Sequence, residues 1–595
     1  MIGKCRKRPE DLRSSASFNN PEDIDLAATV LEHYLNYGLT AEEMRSGRPV
    51  IGIAQSGSDL TPCNRHHQTL AIRVKEGVRD AGGIPIEFPI HPIQETGRRP
   101  TAALDRNLQC LSLIEILHGY FLDGVVLTTG CDKTTPSQLM AAASVDLPAI
   151  ALSSGPMLNG KYMGRCVGSG TTAFEARKLF AKGEIDAAGY LELTGCTAPS
   201  TGHCNTMGTA LTMNCLAETM GLSLPGNASI PAPYRERQQM AYATGKRIVE
   251  MVWADLKPSD LITRHAIENA IVACAALGGS TNAAIHINAI AAHAGVDVSL
   301  EDWQRLGARV PQIVNCVPVG DYLSEDFHHA GGCQSVLYEL SEAGLLHGDT
   351  TTANGRTVAE NCAGKETHDR RVIRSVEEPL TENAGFTVLS GNLFRSGLLK
   401  TSAISEDFRA RYLSDPEQPN VCELKVAVFD GPEDYRANID NPDLTIDEQS
   451  ILVIRGVGPK GYPGSAEVVN MRPPARLLTL GINELPTMGD GRQSGTSGAP
   501  SILHVSPEAA AGGGLAILQN GDRLRIDLNK RRVDLLISAE EMAERFRNSA
   551  FESPPSQTWW QQVYRENVTD LDRGGIFEDM AKYREIAKKP TRRVE

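Results

Sequence analysis

From residue 48 onward, short and wholly apolar runs alternate with longer stretches of helical period. Residues 49–54 form one such run, 65–81 carry the spacing of a helix, and 84–88 form the next run. Unbroken apolar runs suit strands covered on both faces, and their alternation with helices predicts βα units in a parallel sheet. The pattern repeats as a helix over 108–120, a strand over 122–128, a helix over 136–145 and a strand over 148–152. Pro136 suits a first helical turn, with Thr135 ahead of it as the N-cap. Helical periodicity continues between 255 and 380, for example over 283–294, and gives way to a polar stretch around 370–383. Beyond it the runs shorten. Residues 452–455, 515–518, 523–528 and 532–537 are strand candidates separated by Gly, Pro or Asn, the last two joined by a hairpin near Asn529 and Lys530. The expected class is α/β: an N-terminal domain, 1–380, with a parallel helix-covered sheet, and a C-terminal β-barrel-like domain with flanking helices, 381–595. The tail from Ser553 carries Trp559 and Trp560 and a helical pattern to Lys588, and is expected to pack on the body or on another subunit.

Length adds that 595 residues exceed what one hydrophobic core serves. With 41% hydrophobic and 22% charged residues, disordered and fibrous classes are excluded. The 73 acidic and 59 basic residues leave a net charge of −14, which argues against nucleic acid as a partner. A site for small acids must therefore concentrate its positive charge locally. No stretch reaches the roughly 18 apolar residues of a membrane span, and the basic start Lys4 to Arg8 is followed by polar residues instead of a signal core, so a cytoplasmic chain is expected. Thirteen scattered cysteines make a poor disulfide framework but an ample supply of metal ligands in a reducing compartment.

Most cysteines, such as Cys110, Cys215 and Cys274, sit in apolar helical text and read as small buried hydrophobes. Three differ. Cys63 lies in Gly-Ser-Asp-Leu-Thr-Pro-Cys-Asn (57–64), Cys131 in Thr-Gly-Cys-Asp-Lys (129–133), and Cys204 in Thr-Gly-His-Cys-Asn-Thr-Met (201–207), each polar-flanked and near a helix start. A helix N-terminus lowers a thiol pKa, and thiolates converging on one edge of a parallel sheet can hold a soft metal centre. Their spacing matches neither zinc-finger nor ferredoxin patterns, so ordinary cysteines on a cleft rim remain an alternative. Asp132 and Lys133 follow Cys131 directly, and Glu95 lies in the loop 91–97, which returns to the same edge. Hard oxygen ligands beside soft thiolates suit two centres, an iron or iron–sulfur site and a divalent cation such as Mg²⁺. The loops 458–467 and 489–498 are rich in glycine, which permits close backbone approach to a ligand. Neither has a P-loop or Rossmann spacing, and tight turns in a barrel are the rival reading.

Several motifs together resemble the dihydroxy-acid and sugar-acid dehydratase (IlvD/EDD) family over nearly the whole chain. They are Pro62-Cys-Asn64, Thr129-Gly-Cys-Asp-Lys133, His203-Cys-Asn-Thr-Met-Gly208, Gly278-Gly-Ser-Thr-Asn282, Gly391-Asn-Leu393, Gly458-Pro-Lys460 and Asp490-Gly-Arg-Gln-Ser-Gly495. The resemblance implies an iron–sulfur cluster on Cys63, Cys131 and Cys204, with one iron left open to substrate. It implies Mg²⁺ among Glu95, Asp132 and Glu467, with Lys133 carbamylated as a further ligand. Ser494 corresponds to the catalytic base, assisted by Thr496. Residues 98–102, 203–207 and 234–237 resemble the sugar-acid branch, which favours a 2Fe–2S over a 4Fe–4S cluster and a pentonate substrate such as D-xylonate. L-Arabinonate, D-gluconate and the branched-chain dihydroxy acids are the alternatives, and the family suggests a homo-oligomer, dimers pairing into tetramers. Two rivals from other classes are a nucleotide-dependent transferase and a noncatalytic iron–sulfur redox sensor.

Overall fold

The computed structural model describes residues 7–36, 38–95, 97–498, 500–549 and 551–587. Strands β1 (Val50–Gln55), β2 (Ile84–Pro89), β3 (Gly124–Thr129) and β4 (Ala149–Ser153) pair in parallel in the order β2-β1-β3-β4. β1, β3 and β4 are buried along their whole length, because helices cover both faces of the sheet. This is why they read as unbroken apolar runs. Connecting or covering them are α1 (His67–Asp80), α2 (Ala103–Gly119), α3 (Thr134–Val145), α4 (Thr209–Thr219), α5 (Arg235–Trp253), α6 (Arg264–Ala276) and α7 (Asn282–Ala294). Every residue of α4 is buried, so no polar face marks it in the sequence. α3 begins two residues earlier than expected for a cap at Thr135. Its N-cap is Lys133, and the Thr135 hydroxyl instead accepts the Gly130 N–H at 3.1 Å, closing the turn that carries Cys131.

α1 and α5 cross over the sheet at two glycines. A Cβ on Gly77 would lie 2.1 Å from the Tyr242 carbonyl oxygen, and one on Gly245 2.2 Å from that of Val74. The helix backbones touch there. No side chain has room.

The second sheet has eight strands in the order β12-β11-β7-β8-β9-β10-β6-β5. They are β5 (Phe386–Leu389), β6 (Ser396–Lys400), β7 (Val421–Asp430), β8 (Ser450–Arg455), β9 (Thr487–Gly489), β10 (Ser501–Ser506), β11 (Arg523–Asp527) and β12 (Arg532–Leu535). The run from β7 to β10 is parallel, and the flanking strands are antiparallel. Buried side chains from all eight strands, Leu389, Leu399, Val426, Val453, Met488, Ile502, Leu524 and Val533 among them, meet in one interior core. The sheet nearly closes. Val533 N–H donates to the Ser390 carbonyl at 2.9 Å, and Ser390 N–H to that of Arg531 at 3.0 Å. Asn392 completes the clasp, its side chain donating to the Leu535 carbonyl and accepting the Leu535 N–H at 2.9 and 2.8 Å. Gly391 sits where a Cβ would lie 1.7 Å from the Val533 oxygen. The Gly391-Asn-Leu393 motif thus closes a barrel and reaches no ligand site.

The hairpin near Asn529 and Lys530 forms as expected, with Asp527 opposite Arg532. Residues 515–518, expected as a strand, are instead part of a short 3₁₀ turn, Gly514–Ile517, that buries Leu515 and Ile517 in the barrel core. An apolar run this short satisfies either conformation. α8 (Trp559–Asn567) returns to the first half, where Trp560, Tyr564, Val568 and Phe577 pack on Leu104 of α2. The tail therefore packs on the body, while Lys588, the expected end of its helical pattern, lies outside the described residues. No helix among the described residues is long and apolar enough to cross a membrane.

Two buried acids hold the loops that leave this barrel. Asp490 accepts the N–H groups of Gly456, Val457 and Ala509 at 3.0, 2.9 and 2.8 Å. Glu508 accepts those of Lys460 and Gly461 at 2.7 and 2.9 Å. The Gly458-Pro-Lys460 motif is thereby a loop folded around a carboxyl group.

Gly77→Ala should lower stability by about 1–3 kcal/mol, since the clash is with backbone and no rotamer relieves it, and this outweighs the better helix propensity of Ala. Thermal unfolding checks it. Burial, with Asp490 beside it, pushes the Glu508 carboxyl up to about 8, so the folded protein keeps a proton that the unfolded chain releases above about 4.5. That stability is complete below the lower value and is lost as pH rises to the upper one. Glu508→Gln should flatten this fall between acid and mildly alkaline pH. It should also cost about 1–3 kcal/mol at the acid end, because its amide group meets an N–H it cannot accept.

Candidate active site

The carboxyl ends of the parallel strands carry the three singular cysteines to one place. After β3 the chain turns at Gly130, with φ +156°, where a Cβ would meet the Ser154 hydroxyl at 2.0 Å. Asn64, buried, accepts the Cys131 N–H at 3.0 Å and donates to the Thr134 hydroxyl at 3.3 Å, tying the Cys63 loop to the Cys131 loop. The third loop is held to the chain after β4, with His203 N–H on the Gly155 carbonyl and Met157 N–H on that of His203. Buried Arg237 braces this region from behind, donating to the Ser153 carbonyl at 2.9 Å. Gln94 donates to Cys63 Sγ at 3.5 Å and the Ser169 hydroxyl to Cys204 Sγ at 3.3 Å.

The thiols do not titrate as helix-start position predicts. The Cys63 and Cys131 thiols share a hydrogen bond, which lowers Cys63 and raises Cys131 well above the ordinary range, burial adding to the latter. Burial pushes Cys204 up to about 12. α4 begins only at Thr209, too far from Cys204 for its dipole to oppose that cost. Desolvation wins over the helix field at Cys204, and at Cys131 the hydrogen bond with Cys63 does so, with burial added.

Beside the thiols lies a cluster of charge. Lys133 is fully buried, its Nζ 3.1 Å from Glu95, 3.2 Å from Asp132 and 3.7 Å from Glu467. Burial and nearby Arg492 work against its charge, but the three carboxylates outweigh them and raise its pKa. Arg492, 1% exposed, donates to Glu467 at 2.6 Å and to Glu95 at 3.4 Å. Asn282 Nδ2 lies 2.7 Å from the same Glu467 oxygen. Burial, then repulsion from Glu95, pushes Glu467 up to about 7.

The glycine-rich loop after β9 covers this cluster from the barrel side. Ser494 and Thr496 hydroxyls are 2.9 Å apart, and the Thr496 N–H donates to Ser494 Oγ at 3.4 Å. Gly495 seats the loop on the start of α4, where a Cβ would lie 2.5 Å from Thr209 N. Asn282 reaches the Gln493 carbonyl at 3.2 Å, and the Thr171 hydroxyl the Thr496 carbonyl at 2.6 Å. A cleft of about 500 Å³ runs out from Thr496 between Arg177, Lys178 and Arg472. Its positive charge comes from Arg177 and Lys178, with Arg472 already paired to Asp440, and it stands beside the acids Glu175 and Glu484 in the same lining.

All nine residues singled out in the sequence thus gather at one site, with Thr496 on the wall of the cleft. Arg492, Asn282 and Asn64 join them without having been assigned a role, although each lies inside a quoted motif. Gln94 sits in the loop of Glu95, and Ser169 carried no signal at all.

The dihydroxy-acid/6-phosphogluconate dehydratase N-terminal family model matches residues 48–361, and its C-terminal counterpart matches 371–575. A D-xylonate dehydratase of Caulobacter vibrioides is 56% identical over 583 residues, covering 98% of both chains. An L-arabinonate dehydratase of Rhizobium leguminosarum bv. trifolii is 48% identical over 504 residues, 84% of this chain and 85% of its own. A dihydroxy-acid dehydratase of Caldanaerobacter subterraneus is 38% identical over 556 residues, 91% of this chain and 96% of its own. With both family models matched in order across the two sheets and the cleft between them, this chain belongs to the dihydroxy-acid/6-phosphogluconate dehydratase (IlvD/EDD) family.

Proposed function

We propose that this chain is a hydro-lyase that converts a sugar acid, D-xylonate first among candidates, to its 2-keto-3-deoxy acid and water. The observation that carries this reading is the adjacency of three thiols, a buried carboxylate cluster and a serine loop. The relative of 56% identity is named for D-xylonate and that of 48% identity for L-arabinonate, which favours the pentonate class. One hydroxyl's configuration separates such substrates. The reading assigns the thiols to residues 1–380, the serine loop to 381–595, and a cytoplasmic homo-oligomer, dimers pairing into tetramers, to the working enzyme.

Family dehydratases use an iron–sulfur cluster and Mg²⁺. The donors fit both. Three thiols close together, with Gln94 and Ser169 donating to two sulfurs, suit a cluster that keeps one iron free of cysteine, and the sugar-acid likeness favours 2Fe–2S. Glu95, Asp132 and Glu467 suit a hard divalent ion. The Lys133 ammonium at their centre does not, since it would repel the ion. Loss of one proton from that ammonium, then joining of Nζ to CO₂ with release of a second, turns the cation into a carbamate oxygen donor and removes the conflict. When bound, the two centres supply Lewis acidity toward the substrate's carboxylate and hydroxyl oxygens.

The chain's own groups do the rest. Arg177 and Lys178 draw the acid inward along the cleft. Ser494 takes the C2 proton, and hydroxide departs from C3 as water once protonated. The Thr496 N–H and hydroxyl, both aimed at Ser494 Oγ, hold that oxygen in place and favour its deprotonated form. Gly495, Asn282 and Thr171 fix the loop so that this placement costs no rearrangement during turnover. The enol left behind tautomerises to the 2-keto-3-deoxy acid.

Anaerobically purified protein should be coloured and turn over aldonate without an electron acceptor, whereas a redox sensor would show the colour alone. Cys131→Ser should abolish the visible spectrum and activity together, while Cys110→Ser leaves both. A fully coloured, active Cys131→Ser protein overturns the thiol assignment. Ser494→Ala should retain colour and substrate affinity yet lose about 10²–10⁴-fold in kcat, the range for a missing general base. Near-normal kcat in that variant moves the base role to another group.

A further inference from the structure

Among the described residues, a further constellation of ligand-type side chains lies apart from the catalytic cleft. We infer that His265, Glu268 and His347 form a second, surface metal site that takes one divalent transition cation of the zinc class. One ligand atom from each lies within 4.8 Å of the others. His265 and Glu268 are one turn apart on α6, so they share a face of that helix. His347 arrives from the segment after the helix Gly332–Glu342.

The third ligand is held in place by backbone. Buried Asn269, also on α6, accepts the His347 N–H at 2.8 Å and donates to the His347 carbonyl at 3.0 Å. The His265 and His347 rings stack with centroids 4.0 Å apart and planes 6° from parallel, so one imidazole must turn about its Cβ–Cγ bond to bring its in-plane nitrogen onto a shared cation. His347 Nε2 lies 2.7 Å from Glu268 Oε2. Two imidazoles and one carboxylate are the donor set of borderline cations, and the exposed side at His265 leaves room for water to complete the coordination. Mg²⁺ and Ca²⁺ prefer all-oxygen surroundings and are not expected there.

Nearby positive charge is already engaged. Arg264 Nε binds the other Glu268 oxygen at 2.9 Å, and Arg305 stands 3.7 Å from that same oxygen. Asp302 pairs with both guanidinium groups. The two arginines thus orient the Glu268 carboxylate and leave Oε2 turned to the histidines, as an outer ring of hydrogen bonds does at metal sites. With Asp302 and Glu268 opposing Arg264 and Arg305, no net positive charge faces an incoming cation. The site occupies the first turn of α6, whose far end leads into Gly278–Asn282 about 20 Å away along the helix axis, so it is separate from the catalytic donors.

The test uses the untagged full-length protein. Equilibrium dialysis against Zn²⁺ should give one more bound equivalent in the wild type than in His265→Ala or His347→Ala, each variant weakening that equivalent about tenfold or more. Zn²⁺ should raise the thermal midpoint of the wild type and not of the variants, since only the intact set ties the His347 segment to α6. Aldonate turnover should be unchanged in both variants, so this result and the reaction assignment stand or fall apart. Equal Zn²⁺ stoichiometry and affinity in wild type and both variants, or no Zn²⁺-dependent shift in the wild type, overturns the proposal.

Discussion

The buried charge cluster around Lys133 is the constraint on which the rest of the molecule depends. Glu95, Asp132 and Lys133 come from loops at the parallel sheet, whereas Glu467 and Arg492 come from the barrel. Removing one partner from a buried ionic set costs about 3–5 kcal/mol, because the remaining charges lose compensation without regaining water. Neither half can bury its share alone. The cluster therefore couples the seating of the barrel on the sheet to the assembly of the site, and Asn282, which touches Glu467 and the Gln493 carbonyl together, extends that coupling to the serine loop.

Around this cluster, the glycines act as spacers. Gly130 lets the Cys131 turn approach Ser154, and Gly495 lets the serine loop rest on α4; at either position a side chain would push apart two loops that must touch. Polar groups without charge set the thiols. Asn64 joins two cysteine loops through backbone and hydroxyl contacts, so the sulfurs are positioned by hydrogen bonds that do not depend on a bound group. The soft and hard donors consequently stand side by side on one frame, joined where Cys131 is followed directly by Asp132 and Lys133.

Burial sets the charge state of these groups more than sequence position does. A helix start was expected to favour thiolates at all three cysteines, yet Cys131 is pushed up by its hydrogen bond to Cys63 and by burial, and Cys204 and Glu467 chiefly by burial, because a group removed from water loses more than a partial dipole returns. A cation held beside them would favour their deprotonated forms, so binding it would release protons.

By itself the sequence determined the strands of the parallel sheet and the loops that carry Cys63, Cys131, Cys204 and Ser494, because apolar runs and glycine turns are local properties of the chain. It also carried the family motifs. Three things it left open. Residues 515–518 had the apolar text of a strand, of which 515–517 fold as a 3₁₀ turn, Gly391-Asn-Leu393 carried only the family likeness and closes the barrel, and Arg492 carried no role yet bridges two carboxylates. Only the tertiary structure decided these, since each rests on contact between segments remote in the chain: Gly391 against Val533, Glu95 against Arg492, Asn282 against Glu467. Periodicity reports which face of an element is buried. What that face meets, and whether a charge found there has a partner, is settled when distant loops close on one another.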